Sequence, residues 1–276
     1  MRLIVGLKTM VKDKIVLITG ASSGIGMSCA RVFANSGAKL LLAARRMDIL
    51  NALKSQLESE FGADVHVFSI DVRHKDNVSQ ALNALPEEWQ SIDILINNAG
   101  LAAGLDVIHE GEIEDWEEMI DTNVKGLLYV TRGVLPNMVK RNTGHVINIG
   151  SIAGHQVYPK GAVYCATKQA VNALSQGLRL DLYGTQIRVS TIDPGAVETN
   201  FSVVRFKGDQ ARAKEIYEGM QPLKPEDVAD AVWYAASRPM HVNISEIILM
   251  PTAQASATMI SRTPRESMNE PPELHR

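Results

Sequence analysis

The sequence predicts an α/β fold, a doubly wound seven-stranded parallel sheet in a single domain. Seven short apolar runs recur along the 276 residues. Amphipathic stretches of helical length lie between them, which is the alternation that βαβ units produce. No shift in composition and no internal repeat divides the chain.

The runs are Ile15 to Thr19, Lys39 to Ala44, Val65 to Ile70, Ile92 to Ile96, His145 to Ile149, Ile187 to Ile192 and Glu246 to Met250. Several are apolar throughout, as strands covered on both faces are. A helix is expected after Gly26, carrying Cys29, Ala30, Val32 and Phe33, and another from Ile49 to Leu57 with Asp48 as its N-cap. A third covers Ile113 to Val139, interrupted near Pro136. A fourth covers Gly161 to Leu182, where Val171, Leu174 and Leu178 share one face. The polar segment 199–224 is long for a connection and reads as a binding lid. Residues 1–12 read as an N-terminal extension, with Met1 and Met10 both open as the start, and 13–261 as the domain. The tail 262–276, with Pro264, Pro271 and Pro272 among charges, reads as poorly ordered or docked on a partner.

Composition excludes several classes. Apolar residues make up 45% and charged residues 21% of the chain, the proportions of a globular protein rather than a disordered one. A net charge of −3 gives no footprint for nucleic acid. No segment approaches the ~18 apolar residues of a membrane span, and the first residues lack a secretory cleavage site. Two cysteines, Cys29 and Cys165, make no disulfide framework, and the seven histidines show no zinc-ligand spacing. The expectation is a cytoplasmic protein without a metal.

The first run leads directly into Thr19-Gly-Ala-Ser-Ser-Gly-Ile-Gly26 and then a helix. Glycine lets the backbone turn and approach closely, and free N–H groups at a helix start attract phosphate. Gly20, Ser22, Ser23, Gly24, Ile25 and Gly26 therefore read as a dinucleotide-binding loop, although the glycine spacing also fits an ordinary tight turn. The second run ends at Arg45-Arg46 where an acid would bind the ribose of NAD. Guanidinium groups pair with a 2′-phosphate, so the reading favours NADP over NAD; a solvated surface pair is the alternative.

Among six tyrosines only Tyr164 has a lysine four residues on, Lys168. On a helix these share a face. A phenol titrates near ~10, and an adjacent ammonium favours the phenolate, which would suit Tyr164 to acid–base work. Ser151 follows the fifth run, at the strand end where open α/β sheets bind ligands.

These residues together resemble the short-chain dehydrogenase/reductase family, whose domain is a Rossmann fold. The resemblance rests on the glycine loop, Asn97-Asn-Ala-Gly100, Asn123, Ser151, Tyr164-Cys-Ala-Thr-Lys168 and Pro194-Gly195, in order, over about residues 13–255. It implies that Tyr164 is the general acid/base and that Lys168 lowers its pKa and holds the nicotinamide ribose. It further implies that Ser151 orients the substrate oxygen and that Asn123 anchors a relay water. Asn98, Ala99 and Gly100 would line the cofactor site, Asp71 and Val72 would meet the adenine, and Pro194, Gly195, Val197 and Thr199 the nicotinamide end. The paired helices within 113–139 and 161–182 resemble those through which the family forms dimers and tetramers.

Within the family, Leu85-Pro-Glu-Glu-Trp89, Asp115-Trp116, Phe201 to Asp209 and His241-Val-Asn243 resemble the NADP-dependent 3-hydroxy acid dehydrogenase branch. That implies a small hydroxy acid or semialdehyde as substrate, such as serine, L-allo-threonine, 3-hydroxyisobutyrate or 3-hydroxypropionate. Arg205 is a candidate for pairing with the carboxylate or, alternatively, with a surface or intersubunit partner. His155 and Gln156 are candidates for shaping the pocket. A related reductase of sulfoacetaldehyde or 3-oxoacyl thioesters, and a non-catalytic NADPH-sensing interaction protein, are the competing readings.

Overall fold

The structure, a computed structural model, describes residues 10–263. The expectations for 1–9, for Pro264, Pro271 and Pro272 and for the rest of the tail lie outside the described residues. Seven parallel strands, β1 (Ile15–Thr19), β2 (Lys39–Ala44), β3 (Val65–Ser69), β4 (Ile94–Asn97), β5 (Gly144–Ile149), β6 (Ile187–Pro194) and β7 (Glu246–Leu249), form one sheet in the order β3-β2-β1-β4-β5-β6-β7. The helices in chain order are α1 (Gly24–Asn35), α2 (Met47–Phe61), α3 (Lys75–Asn83), α4 (Ile113–Ile120), α5 (Leu127–Arg141), α6 (Ala162–Asp181), α7 (Phe201–Arg205), α8 (Gln210–Glu215) and α9 (Pro225–Ala236). None of the described helices is long and apolar enough to cross a membrane.

The central strands β1 and β2 are almost wholly apolar and buried because both of their faces are covered. Alternate residues of β1 point to opposite faces. Val16 and Ile18 join Phe33, Leu40, Leu42, Ile96 and Val232 beneath α1, α2 and α9. Leu17 joins Leu41, Leu95, Val130, Val134 and Val189 beneath α3 and α5. Val11, fully buried, packs into the first of these layers.

Three local expectations need correction. Asp48 is not the N-cap: α2 begins one residue earlier, at Met47, which packs partly against the core. Asp48 instead lies in the first turn, where the helix dipole favours a carboxylate. The long helix is not interrupted at Pro136, which α5 accommodates inside its span. The break falls at Asp121–Gly126, a π-helical turn between α4 and α5. It brings the Gly126 backbone so close to the β3–α3 loop that a Cβ there would lie 2.7 Å from Val72 Cγ2. The segment 199–224 is also more ordered than a polar connection, since it contains α7 and α8.

The first crossover turns on two glycines. Gly20 has φ +65°, a left-handed backbone that side chains strain to adopt. A Cβ on Gly26 would lie 2.5 Å from both the Gly20 carbonyl oxygen and Asn98 Nδ2. Both of those atoms belong to a hydrogen-bonded junction and have little room to move. Gly26→Ala is therefore expected to destabilise the fold by about 1–3 kcal/mol, measured as a lower denaturation midpoint in urea; an unchanged midpoint would show that the junction yields freely.

Candidate active site

Strand order reverses between β1 and β4, and a crevice opens above the strands' C-terminal ends there, as it does in open α/β sheets. It is a cleft of about 780 Å³. Thr19 and Asn98 tie its two halves together. Thr19 Oγ1 accepts the N–H groups of Asn98 and Ala99 at 3.1 and 3.0 Å. Asn98 Nδ2 donates back to the carbonyls of Thr19 and Gly20 at 2.9 and 3.2 Å.

One half of the cleft has the chemistry to hold a dinucleotide. Gly20, Ser22, Ser23, Gly24 and Ile25 line it, whereas Gly26 packs beneath the loop. Ser23, the N-cap residue of α1, makes no side-chain cap, so the helix start faces the cleft without an internal anion. Arg45 and Arg46 both line the cleft at the end of β2. Arg46 Nη2 donates to Ser22 Oγ at 2.9 Å, which draws the second strand's cation onto the first loop. Asp71, Val72, Asn98, Ala99, Gly100, Pro194, Gly195, Val197 and Thr199 continue the wall. These features fit a phosphorylated dinucleotide: an uncapped helix start for the pyrophosphate and two guanidinium groups for a further phosphate.

Arg73, which the sequence reading passed over, also lines this half. Its Nη2 lies 2.6 Å from Asp71 Oδ2, and its Nη1 lies 3.2 Å from Glu118 Oε1. The Arg73 hydrogen bond holds the Asp71 carboxyl below its ordinary range. The only sequence signal was a cation two residues after an acid at a strand end.

The other half gathers the reactive groups. Ser151 follows β5, and its Oγ accepts the Ala153 N–H at 3.1 Å, closing the 3₁₀ turn Ile152–Gly154. Tyr164 and Lys168 stand one turn apart on α6 and both line the cleft, as their spacing required. Phe201 of α7 meets the Tyr164 ring edge-on, with centroids 5.6 Å apart.

The electrostatics differ from the expectation. Burial pushes the Tyr164 phenol above its ordinary range rather than below it; the Ser151 hydrogen bond and the Arg205 charge pull only partly the other way. Lys168 is itself buried and is pushed down to about 8, with Asp193 the one opposing charge. Its ammonium donates to the Ile149 carbonyl at 2.9 Å and lies 5.9 Å from the Tyr164 ring centroid. Burial therefore drives each group toward its neutral form, the phenol up and the amine down.

Asn123 does not line the cleft. Its Oδ1 accepts the Leu101 N–H at 2.9 Å, and its Nδ2 donates to the Leu101 carbonyl at 2.8 Å and to Thr167 Oγ1 at 3.0 Å. The amide of this buried residue is committed to holding the loop after β4 against α6. His155 and Gln156 also lie outside the cleft wall. His155 Nε2 faces Asp193 Oδ2 at 3.3 Å and Glu246 Oε1 at 3.4 Å, while Gln156 Oε1 accepts the Ala257 N–H at 2.8 Å. The sharp turn after Ser151 carries both away from the opening.

Arg205 does reach the site. Its Cζ lies 5.4 Å from the Tyr158 ring centroid and 5.7 Å from that of Tyr164. Its Nε donates to the Gly104 carbonyl at 3.1 Å, and the Gly104 N–H donates to the Arg205 carbonyl at 3.0 Å. Tyr158, also in the wall, was not anticipated; a Cβ on Gly161 would lie 2.0 Å from its Cε2, so Gly161 makes room for its ring.

Residues 14–210 match the family model of the short chain dehydrogenases. The NADP-dependent 3-hydroxy acid dehydrogenase YdfG of Salmonella typhi is 50% identical over 244 residues, 88% of this chain and 97% of that protein. The NADP-dependent 3-hydroxy acid dehydrogenase of Schizosaccharomyces pombe is 42% identical over 250 residues, 90% of this chain and 96% of that protein. Among solved structures, the closed form of a serine dehydrogenase complexed with NADP+ superposes with a TM-score of 0.84 at 48% identity, over 88% of this chain and 97% of that one. Fold, ordered motifs and relatives agree, and this chain belongs to the short chain dehydrogenase family.

Proposed function

We propose that this protein is an NADP-dependent dehydrogenase interconverting a small 3-hydroxy acid with its semialdehyde or ketone. The observation that carries the reading is Arg205, a guanidinium inside the cleft beside Tyr164. It is suited to a substrate that bears a carboxylate near the reacting carbon. The names of the relatives, 3-hydroxy acid dehydrogenase and serine dehydrogenase, support it.

The helix start at Ser23–Ile25 would hold the pyrophosphate, and Arg45 and Arg46 the 2′-phosphate. When bound, NADP supplies the hydride donor or acceptor. Ser151 Oγ and Tyr164 Oη hold the substrate oxygen, and Arg205 orients the carboxylate. In reduction, Tyr164 gives its proton to the carbonyl oxygen as the carbon gains hydride. In oxidation, Tyr164 takes the hydroxyl proton as the carbon loses hydride. Lys168 stabilises the phenolate that reduction leaves and that oxidation starts from, returning a proton to it in the first direction and taking one from the phenol in the second. The Asn123 amide, committed to Leu101 and Thr167, serves by fixing the loop after β4 against α6. The two buried free cysteines, Cys29 and Cys165, fit a reducing, cytoplasmic setting. Exposed Ile120 and Leu128, flanking the π-helical turn, and Leu180 on α6 support a homodimer or homotetramer.

Initial rates with 3-hydroxypropionate, 3-hydroxyisobutyrate, serine and L-allo-threonine, each with both nicotinamide cofactors, test the assignment; a strong preference for 3-oxoacyl thioesters or sulfoacetaldehyde overturns it. Tyr164→Phe is expected to bind NADPH with near-native affinity by fluorescence titration and to lose ~10²–10⁴-fold in turnover; near-normal turnover refutes the acid–base role. Arg205→Leu is expected to raise KM for the hydroxy acid by roughly 10–100-fold and to spare an uncharged aldehyde. Arg45→Ala together with Arg46→Ala is expected to weaken NADP by roughly 10–100-fold and leave NAD almost unchanged, as read from the ratio of the two KM values.

A further inference from the structure

Asp193, at the C-terminal end of β6, is fully buried. Its Oδ1 accepts the Ser151 N–H at 3.0 Å. The preceding Gly150 leaves the space for that contact, since a Cβ there would lie 1.6 Å from Oδ1. The other oxygen, Oδ2, has no polar partner among the described residues apart from the His155 ring. A buried carboxylate in this condition needs an opposite charge close by.

The charged groups around it come from three segments. His155, just beyond the 3₁₀ turn, presents Nε2 at 3.3 Å from Oδ2. Glu246 of β7 meets the same Nε2 at 3.4 Å. Lys168 of α6 feels the Asp193 charge, which opposes the effect of burial on its ammonium. Asn172, also on α6 but uncharged, places Nδ2 at 3.1 Å from His155 Nε2. One imidazole thus stands between two carboxylates, and the buried one supports both Ser151 and Lys168.

We propose that His155 is a positioning residue of the active site: its ring, held against Asp193 Oδ2, keeps Asp193 ionised, and ionised Asp193 holds the Ser151 backbone and sustains the Lys168 charge. The proposal rests on the dehydrogenase reading only in giving Ser151 and Lys168 their tasks. Burial pushes the Asp193 carboxyl up to about 6, and the His155 contact is the largest influence drawing it back down. As pH falls through that region, Asp193 takes up a proton, Oδ1 becomes a weaker acceptor for Ser151, and Lys168 loses its counter-charge. Removing the His155 ring lets this happen at higher pH. Replacing it with a permanent cation does not.

The test compares wild type, His155→Gln and His155→Arg by two readouts. One is the pH profile of kcat for semialdehyde reduction with NADPH. The other is a carbon-13 NMR titration of the Asp193 carboxyl, assigned by its absence in Asp193→Asn and needing no substrate. His155, with a side chain 25% exposed, lies between fully buried Asp193 and the more exposed Glu246 at the rim of the cluster. In His155→Gln the Asp193 midpoint and the acid limb of kcat are expected to rise together by about one pH unit, with KM little changed. In His155→Arg both are expected to stay at or below their wild-type positions. An Asp193 midpoint unmoved in His155→Gln, or moved as far up in His155→Arg, overturns the proposal. So does an acid limb that stays fixed while the midpoint moves. A wild type that reduces no semialdehyde removes the dehydrogenase reading instead, and the carboxyl titration still decides whether His155 controls Asp193.

Discussion

Between β1 and β4 the winding of the sheet reverses, and the loops leaving those two strands are bound to each other through Thr19 and Asn98. The Thr19 hydroxyl accepts two backbone N–H groups and faces the Ile96 carbonyl at 3.4 Å, so its hydrogen-bonding capacity is filled. The Asn98 amide spends both hydrogens on the opposite loop. Gly26 must then pass directly beneath, which accounts for the absence of a side chain there. Without this junction the start of α1 has no fixed relation to the wall that carries Asn98 to Gly100. Every contact proposed for a dinucleotide depends on that relation, and the same wall continues through Leu101 to Asn123 and the turns of α6 that bear the reactive side chains.

Burial governs the reactive half more than pairwise attraction does. Two ionisable groups one helical turn apart suggest, in isolation, a phenolate beside an ammonium. Here both are enclosed, and each is driven toward its neutral form, the phenol up and the amine down. The cations and donors that oppose this for Tyr164 come from elsewhere in the chain: Ser151 after β5 and Arg205 on α7. The groups that set the proton affinity of Tyr164 are thus the ones proposed to grip the substrate. On the proposed reading, substrate binding and proton transfer would be coupled by that overlap, because a carboxylate placed on Arg205 would offset a charge that otherwise favours the phenolate.

Much of this was legible from residues alone, because the strongest physical signals are local and periodic. Continuous apolar runs place all seven strands with small shifts at their ends, and the four-residue interval places Tyr164 and Lys168 on one side of α6. Glycines at positions 20 and 26 marked the loop for the same steric reason that the structure displays. What the sequence hid is long-range or geometrically subtle. Pro136 drew attention as a break, yet α5 continues past it, while the true irregularity at Asp121–Gly126 carries no proline. His155 and Gln156 lie close to Ser151 in the chain but are turned out by a 3₁₀ turn that spacing alone does not specify. Arg73 and Tyr158 reach the cleft through contacts with Asp71 and Arg205 that exist only once the elements have packed.

Arg205 shows how packing turns an ambiguous residue into a specific one. Read from the chain, Arg205 is open either to a substrate carboxylate or to a surface or intersubunit partner. In the structure α7 is short and would have little stability alone, but it is held from both sides. Its end is clasped to Gly104 by reciprocal hydrogen bonds, and Lys207 just beyond pairs with Asp115 at 2.9 Å. On the other side, Ser202 meets the Tyr217 hydroxyl at 2.8 Å, and that hydroxyl donates to the Val197 carbonyl at 2.8 Å. These contacts make α7 one wall of the cleft, with the Arg205 Nε–H donated to Gly104. Its guanidinium carbon lies 5.4 and 5.7 Å from the ring centroids of Tyr158 and Tyr164, and the Tyr158 hydroxyl is hydrogen-bonded to it. On the proposed reading, a planar fork held in that way would favour an anion with two equivalent oxygens, which a carboxylate provides and a neutral carbonyl does not. Charge selection would then follow from how the segment 199–224 is anchored to the loop after β4.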